Sequence, residues 1–176
     1  MGFTTHYSLL TPEAMDLDAQ IQSLIDKAPQ DGVSARIVAA IAPVLKRLAQ
    51  KLRHSQYHIL QSLDNQWVLT TLSDRANLNV EKRVIYAWAK LQDIPVNSAL
   101  GLGADAVAIP IPITHILFQL TALETVDSII FFDKPGDSTN GIEVRREDIQ
   151  NLIQLQLKQN PPTPSFSPNQ LPPDIA

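Results

Sequence analysis

The chain has 176 residues, no cysteine and a formal net charge of −4. That length fits one domain, and a domain of that size buries enough surface to fold without covalent staples. The missing cysteines exclude disulfides, thiolate zinc sites, iron–sulfur clusters and a thiol nucleophile, while the acidic balance opposes attraction to phosphate backbones.

Thr11-Pro12-Glu13 has the form of a helix start, a hydroxyl cap followed by the one residue with no N–H to lose. Leu17, Ile21, Leu24 and Ile25 then fall on one helical face, and Pro29 with Asp31-Gly32 ends the helix. A second helix is expected from Ser34, with Ile37, Ile41, Val44, Leu45, Leu48 and Leu52 as its apolar stripe. Pro43 inside it is expected to kink or split it. Four cations, Lys46, Arg47, Lys51 and Arg53, crowd its C-terminal half, where they complement the helix dipole.

The period then shortens. Tyr57, Ile59, Gln61 and Leu63 alternate with their neighbours, Asp64-Asn65 makes a turn, and Trp67 to Leu72 returns, which reads as a β-hairpin. Val80 to Leu91 fits a helix by spacing. The β-rich composition of Val84-Ile85-Tyr86 favours a third strand. Ile113 to Leu123 reads as a buried helix with Pro112 beside its first turn. Val126 to Phe132 is a short apolar strand, Ile142-Glu143-Val144 another, and Ile149, Leu152, Ile153 and Leu157 mark a closing helix. The expected fold is α+β: two N-terminal helices, a mostly antiparallel sheet of about five strands, one inserted helix and a closing helix. The domain is expected over 1–159. Residues 160–176, with six prolines at 161, 162, 164, 168, 172 and 173, form a proline-rich tail expected to be disordered.

The chemistry-bearing residues are sparse, and no catalytic constellation, metal-ligand set or cofactor fingerprint stands out. The lone Gly-x-Gly of residues 99–104 lacks a third glycine and reads as a surface loop. His54-x-x-x-His58 has ligand spacing only on a helix, and the second helix is expected to end near His54. His115 stands among Ile113, Ile116 and Phe118, and reads as a hydrogen-bonded core histidine before a catalytic one. Asp133, Asp137 and Glu143 surround a turn whose oxygens suit a hard cation, although turns recruit acidic residues anyway. Together with His115 they make a candidate ligand pocket. Arg145-Arg146 suits a phosphate or carboxylate, or a plain solvated surface. In the tail, Phe166, Leu171 and Ile175 are spaced apolar anchors in a proline-stiffened frame, a pattern suited to docking on another protein.

No stretch approaches the ~20 apolar residues of a membrane-spanning helix. The N-terminus MGFTTHYSLL lacks the cationic start and apolar core of a signal peptide, so a cytoplasmic protein is expected. QWVLTTLSDR (66–75), VEKRVIYAWAKLQDI (80–94) and VDSIIFFD (126–133) resemble small uncharacterised proteins of cyanobacteria. The resemblance covers less than half the chain and transfers no functional residue. It implies a cytosolic accessory protein serving the photosynthetic or carbon-fixing machinery. The leading expectation is therefore a non-enzymatic interaction protein, an assembly or regulatory factor that binds another protein through a domain surface and the tail. The rival is a small ligand-binding protein or enzyme with a pocket near His115 and the acidic turn.

Overall fold

A computed structural model describes residues 16–77, 79–95, 105–134 and 140–162. Among these, four helices pack on a mixed six-stranded sheet, an α+β arrangement. The helices are α1 (Leu17–Lys27), α2 (Ser34–Gln50), α3 (Ile113–Ala122) and α4 (Arg146–Gln159). The strands are β1 (Gln56–Gln61), β2 (Thr70–Ser73), β3 (Glu81–Trp88), β4 (Val107–Pro112), β5 (Ser128–Phe132) and β6 (Ile142–Arg145). Their order is β4-β1-β3-β5-β6, with β2 beside β3. Only β3 and β5 run parallel.

Strand alternation divides the apolar residues between two faces. Tyr57, Ile59, Ile85, Ala87, Ile129 and Phe131 point toward the helices, where Ile21, Ile41, Leu45, Ile116, Leu120 and Ile149 complete the main core. The opposite face carries a smaller cluster of Leu60, Trp88, Phe132 and Ile94, with Tyr86 packed against it. Trp88 and Phe132 stack there at 5.9 Å between centroids. Each buried aliphatic side chain in such a core contributes about 1.5–3 kcal/mol.

The helix starts differ from expectation in an instructive way. Asp16, not Thr11, caps α1: its Oδ1 accepts the Ala19 N–H at 2.6 Å. Thr11 lies outside the described residues. α2 runs through Pro43 as one helix. Ahead of α2, Asp31 accepts the N–H groups of Val33 and Ser34 and the Ser34 hydroxyl. These hydrogen bonds lower its carboxyl to about 2. Gly32 beside it takes φ 75°, a conformation that suits glycine.

The expected hairpin forms its turn and then changes partner. Asn65 sits at φ 61° and Ser62 N–H donates to Gln66 O at 2.7 Å. Val68 N–H still reaches Leu60 O at 2.8 Å, but the chain then leaves β1. β1 meets β3 only at His58–Trp88 and Ile59–Ala87, so the first half of β3 is open on that edge. β2 fills it, Thr70 opposite Val84 through Ser73 opposite Glu81.

β4 was hidden by Pro110 and Pro112, since proline normally argues against a strand. It lies at the sheet's edge, paired with β1 alone. Ile113 N–H donates inward to Ser55 O at 2.9 Å. Alternation therefore turns the nitrogens of Ile111 and Ile109 inward and those of Pro112 and Pro110 outward, where no ladder bond is lost. Gly141, just before the other edge strand β6, is demanded by close approach: a Cβ there would meet Ile130 Cγ2 at 2.3 Å.

Candidate apolar cleft in the helical layer

The helical layer is not filled everywhere. Between the C-terminal turn of α1, the N-terminal turn of α2 and the middle of α3 lies a cleft of about 370 Å³. α1 supplies Leu24 and Lys27 to it, with Ala28 and Pro29 just beyond; α2 supplies Ile37 and Val38; α3 supplies Phe118. Its size lies within the range of ligand sites. The local sequence explains the opening. Pro29 and Asp31-Gly32 stop α1 and start α2, so the apolar stripe of α2 begins one turn before the core can cover it. Ile37 belongs to that stripe and yet stays 40% exposed, and the neighbouring Val33 is 50% exposed. Polar groups at the mouth are few. Ser34 is engaged by Asp31, and Lys27 is exposed at the end of α1.

One turn and a half earlier on α1 the chemistry reverses. Gln20 is fully buried. Its Oε1 accepts both the N–H and the hydroxyl of Thr114, at 3.0 and 2.8 Å, and its Nε2 donates to Ser55 O at 2.8 Å. One side chain thus ties α1 to the start of α3 and to the chain entering β1. His115 Nε2 lies 3.1 Å from Gln20 O. A carbonyl only accepts, so Nε2 carries the proton. Partial burial lowers the His115 pKa, and Lys27 adds to that. His115 stands one helical turn before Phe118, which places it next to the cleft rather than beside the acidic turn.

Asp133 is placed elsewhere. It follows β5 and is 5% exposed. The Tyr57 hydroxyl donates to its Oδ1, while Oδ2 has no hydrogen-bond partner. His54 Nε2 meets the Asp133 carbonyl at 3.1 Å, and the His54 and Tyr57 rings meet edge-on at 5.8 Å. Burial and the adjacent carboxylate push the Tyr57 hydroxyl far above its ordinary range. The group joins the end of α2, β1 and β5.

The other candidates have separate partners. Glu143 pairs with Lys82 across the sheet, away from Asp133. Among the described residues, no group of three or more His, Asp or Glu is placed to hold a metal ion. Asp137, the Gly-x-Gly segment and the anchors Phe166, Leu171 and Ile175 lie outside the described residues. His58 faces Trp88 on the far side of the sheet from His54's bond to Asp133. In the basic stretch Lys46 pairs with Asp18 at 2.8 Å, and Arg47 donates to Pro43 O at 3.3 Å. Arg146 Nε donates to Val126 O at 3.0 Å, and Arg145 lies 3.6 Å from Glu147. No helix among the described residues is long and apolar enough to cross a membrane.

Neither Leu24, Lys27 nor Phe118 stood out in the sequence as a site residue. The one available signal was the length of the α2 stripe relative to the break before it. The chain matches no protein-family model and no curated protein.

Proposed function

We propose that the protein is a non-enzymatic interaction protein, an assembly or regulatory accessory factor, and that the cleft between α1, α2 and α3 is its partner-binding surface. The observation that carries this reading is Ile37, a large aliphatic side chain at the lip of an apolar cleft, left 40% exposed by its own core. Such a cleft suits one bulky apolar side chain of a partner segment, the kind of anchor that dominates interface energies. The polar groups described at the cleft are few: the Ser34 hydroxyl donates to Asp31, and Lys27 stands at the mouth. Phe166, Leu171 and Ile175 of the C-terminal segment supply a second, tethered contact that adds avidity through effective concentration.

A selection from a displayed peptide library against the full chain tests this reading. Enriched peptides are expected to share a bulky apolar residue and to lose binding to Ile37→Asp. If no peptide is enriched, or if Ile37→Asp retains the same peptides equally, the cleft is not the partner surface.

The placement of His115 favours one second reading. It lies beside the cleft with a neutral imidazole, and Lys27 stands at the mouth. A small apolar ligand bearing an anionic group would fit that combination. Copurification of such a molecule, lost on Lys27→Ala, would support it; an empty cleft in native mass spectrometry of protein taken directly from cells would reject it.

A further inference from the structure

We infer that the outer edge of β6 is a self-association surface, on which a second copy of this chain adds its own β6 antiparallel and the two sheets become one. The surface shares no residue with the cleft, so either can fail its test without the other. Among the described residues β6 pairs with β5 alone, which leaves its other side an open edge. An open edge is a template for another strand unless something blocks it. On β4, at the opposite end of the sheet, Pro110 and Pro112 remove outward N–H groups. β6 has no proline. Arg146 N–H donates inward to Asp127 O at 2.9 Å. Alternation therefore turns the backbones of Val144 and Ile142 toward β5, and those of Glu143 and Arg145 outward with both N–H and C=O. Ile142, an aliphatic residue of this strand, stays 41% exposed.

Charge decides which strand fits. Glu143 and Arg145 stand opposite Ile130 and Ser128, on the sheet face away from the helices. A charged edge deters an arbitrary strand, but this one is complementary to itself. Two copies related by a twofold axis must keep each side chain on its own face, so the axis passes through a pair of identical residues. Centred on Glu143 or on Arg145, the pairing sets like charges directly against each other, which is destabilising. Centred on Ile142, it leaves Arg145 opposite no residue of the second β6. Centred on Val144, it sets Glu143 of each copy opposite Arg145 of the other, on both sides of the axis. These are the two residues with outward backbones, so each such pair also exchanges two backbone hydrogen bonds. Val144, already packed against the main core, meets its own symmetry mate, and Ile142 comes opposite Arg146 at the start of the second copy's α4. Within one chain the two charges have only exposed partners, Lys82 and Glu147, which hold them weakly. A strand of four residues gives a small interface, so the association depends on concentration.

The test is sedimentation of the full-length chain over a concentration series, with two charge reversals. The wild type is expected to pass from monomer to dimer. Glu143→Lys sets Lys against Arg145 twice, and Arg145→Glu sets Glu against Glu143 twice, so each variant alone should dimerise at least about tenfold more weakly. Mixed in equal amounts, the two variants oppose unlike charges at both pairs, and a heterodimer at least as tight as the wild-type dimer is expected. A wild type that stays monomeric throughout would overturn the inference. So would reversals that dimerise as well as the wild type, or a mixture that associates no better than its separate components. Glu143→Pro gives an arm independent of charge repulsion. It copies the device of β4, removes an outward N–H that the pairing needs, and costs no hydrogen bond to β5. Its unfolding curve should stay close to the wild type's while its dimer is lost; a persisting dimer would place the contact on another surface.

Discussion

The two ends of α1 face the same layer with opposite chemistry. Near its start, Gln20 is wholly buried and its side chain is hydrogen-bonded within the fold, to Thr114 and Ser55. At its other end, Leu24 and Lys27 border a cleft that the neighbouring helices leave open. A polar side chain placed in the core was given partners, as burial requires. Apolar side chains beyond the reach of the core were not. The first region fixes how α1, α3 and β1 sit together; the second has unspent apolar surface available for binding. The distinction predicts that substitutions at one end cost stability and substitutions at the other cost recognition.

The largest stability effect is expected at Gln20. Gln20→Ala leaves the Thr114 N–H and hydroxyl and the Ser55 carbonyl without that partner inside the fold, at about 3 kcal/mol or more, read from urea unfolding. A loss below about 1 kcal/mol would show that the junction is not held by this side chain. Ile37→Asp, at the other end of the comparison, should change stability by less than about 1 kcal/mol, because the side chain is partly exposed and an acidic residue suits a helix N-terminus.

Tyr57→Phe comes next, at about 1–3 kcal/mol near neutral pH, since it strips the buried Asp133 carboxylate of its phenol donor. Its pH dependence is the sharper test. The folded Tyr57 hydroxyl is held far above the unfolded value of 10.0, so its contribution is complete below that value and is lost as pH rises above it. The wild type should lose stability through the alkaline range, with the phenolate absorbance of Tyr57 appearing only on unfolding. Tyr57→Phe should lack both.

His115 gives a smaller effect of the opposite direction in pH. Burial holds its folded pKa below the ordinary 6.5, so its contribution is present above that value and fades as pH falls through the folded pKa, where unfolded chains take up the proton more readily. His115→Gln should flatten the acid limb of the stability curve; an unchanged limb would show that the imidazole is not held neutral by its burial. The smallest effect is at Asp31. Its contribution is present above 3.8 and disappears as pH falls toward about 2. Asp31→Ala should speed amide exchange at Val33 and Ser34 while leaving the global unfolding curve nearly unmoved.

Much of this architecture was legible because local patterns agreed with it. Ile21, Ile41, Leu45 and Leu120 follow helical spacing into the core, and Val84-Ile85-Tyr86 lies in a strand lined by β2 and then β1 along one edge and by β5 along the other. What escaped depended on partners distant in sequence. Pro110 and Pro112 hid β4 because only its edge position makes them tolerable. The β2 exchange from β1 to β3 depends on how short the β1–β3 ladder is. Asp133 looked like part of an acidic turn, and its actual partner, Tyr57, stands 76 positions away. The cleft was the least legible feature. It exists only where three helices meet imperfectly, and no single segment encodes it; Ile37, expected in a buried stripe, is its one visible trace.

The most direct measurement is a binding isotherm of one cleft-selected peptide with the wild type and with Ile37→Asp, made alongside unfolding curves of both proteins. Overlapping unfolding curves and a loss of binding of at least about tenfold are expected. Equal affinity in two equally stable proteins would contradict it, and would place the partner surface somewhere other than between α1, α2 and α3.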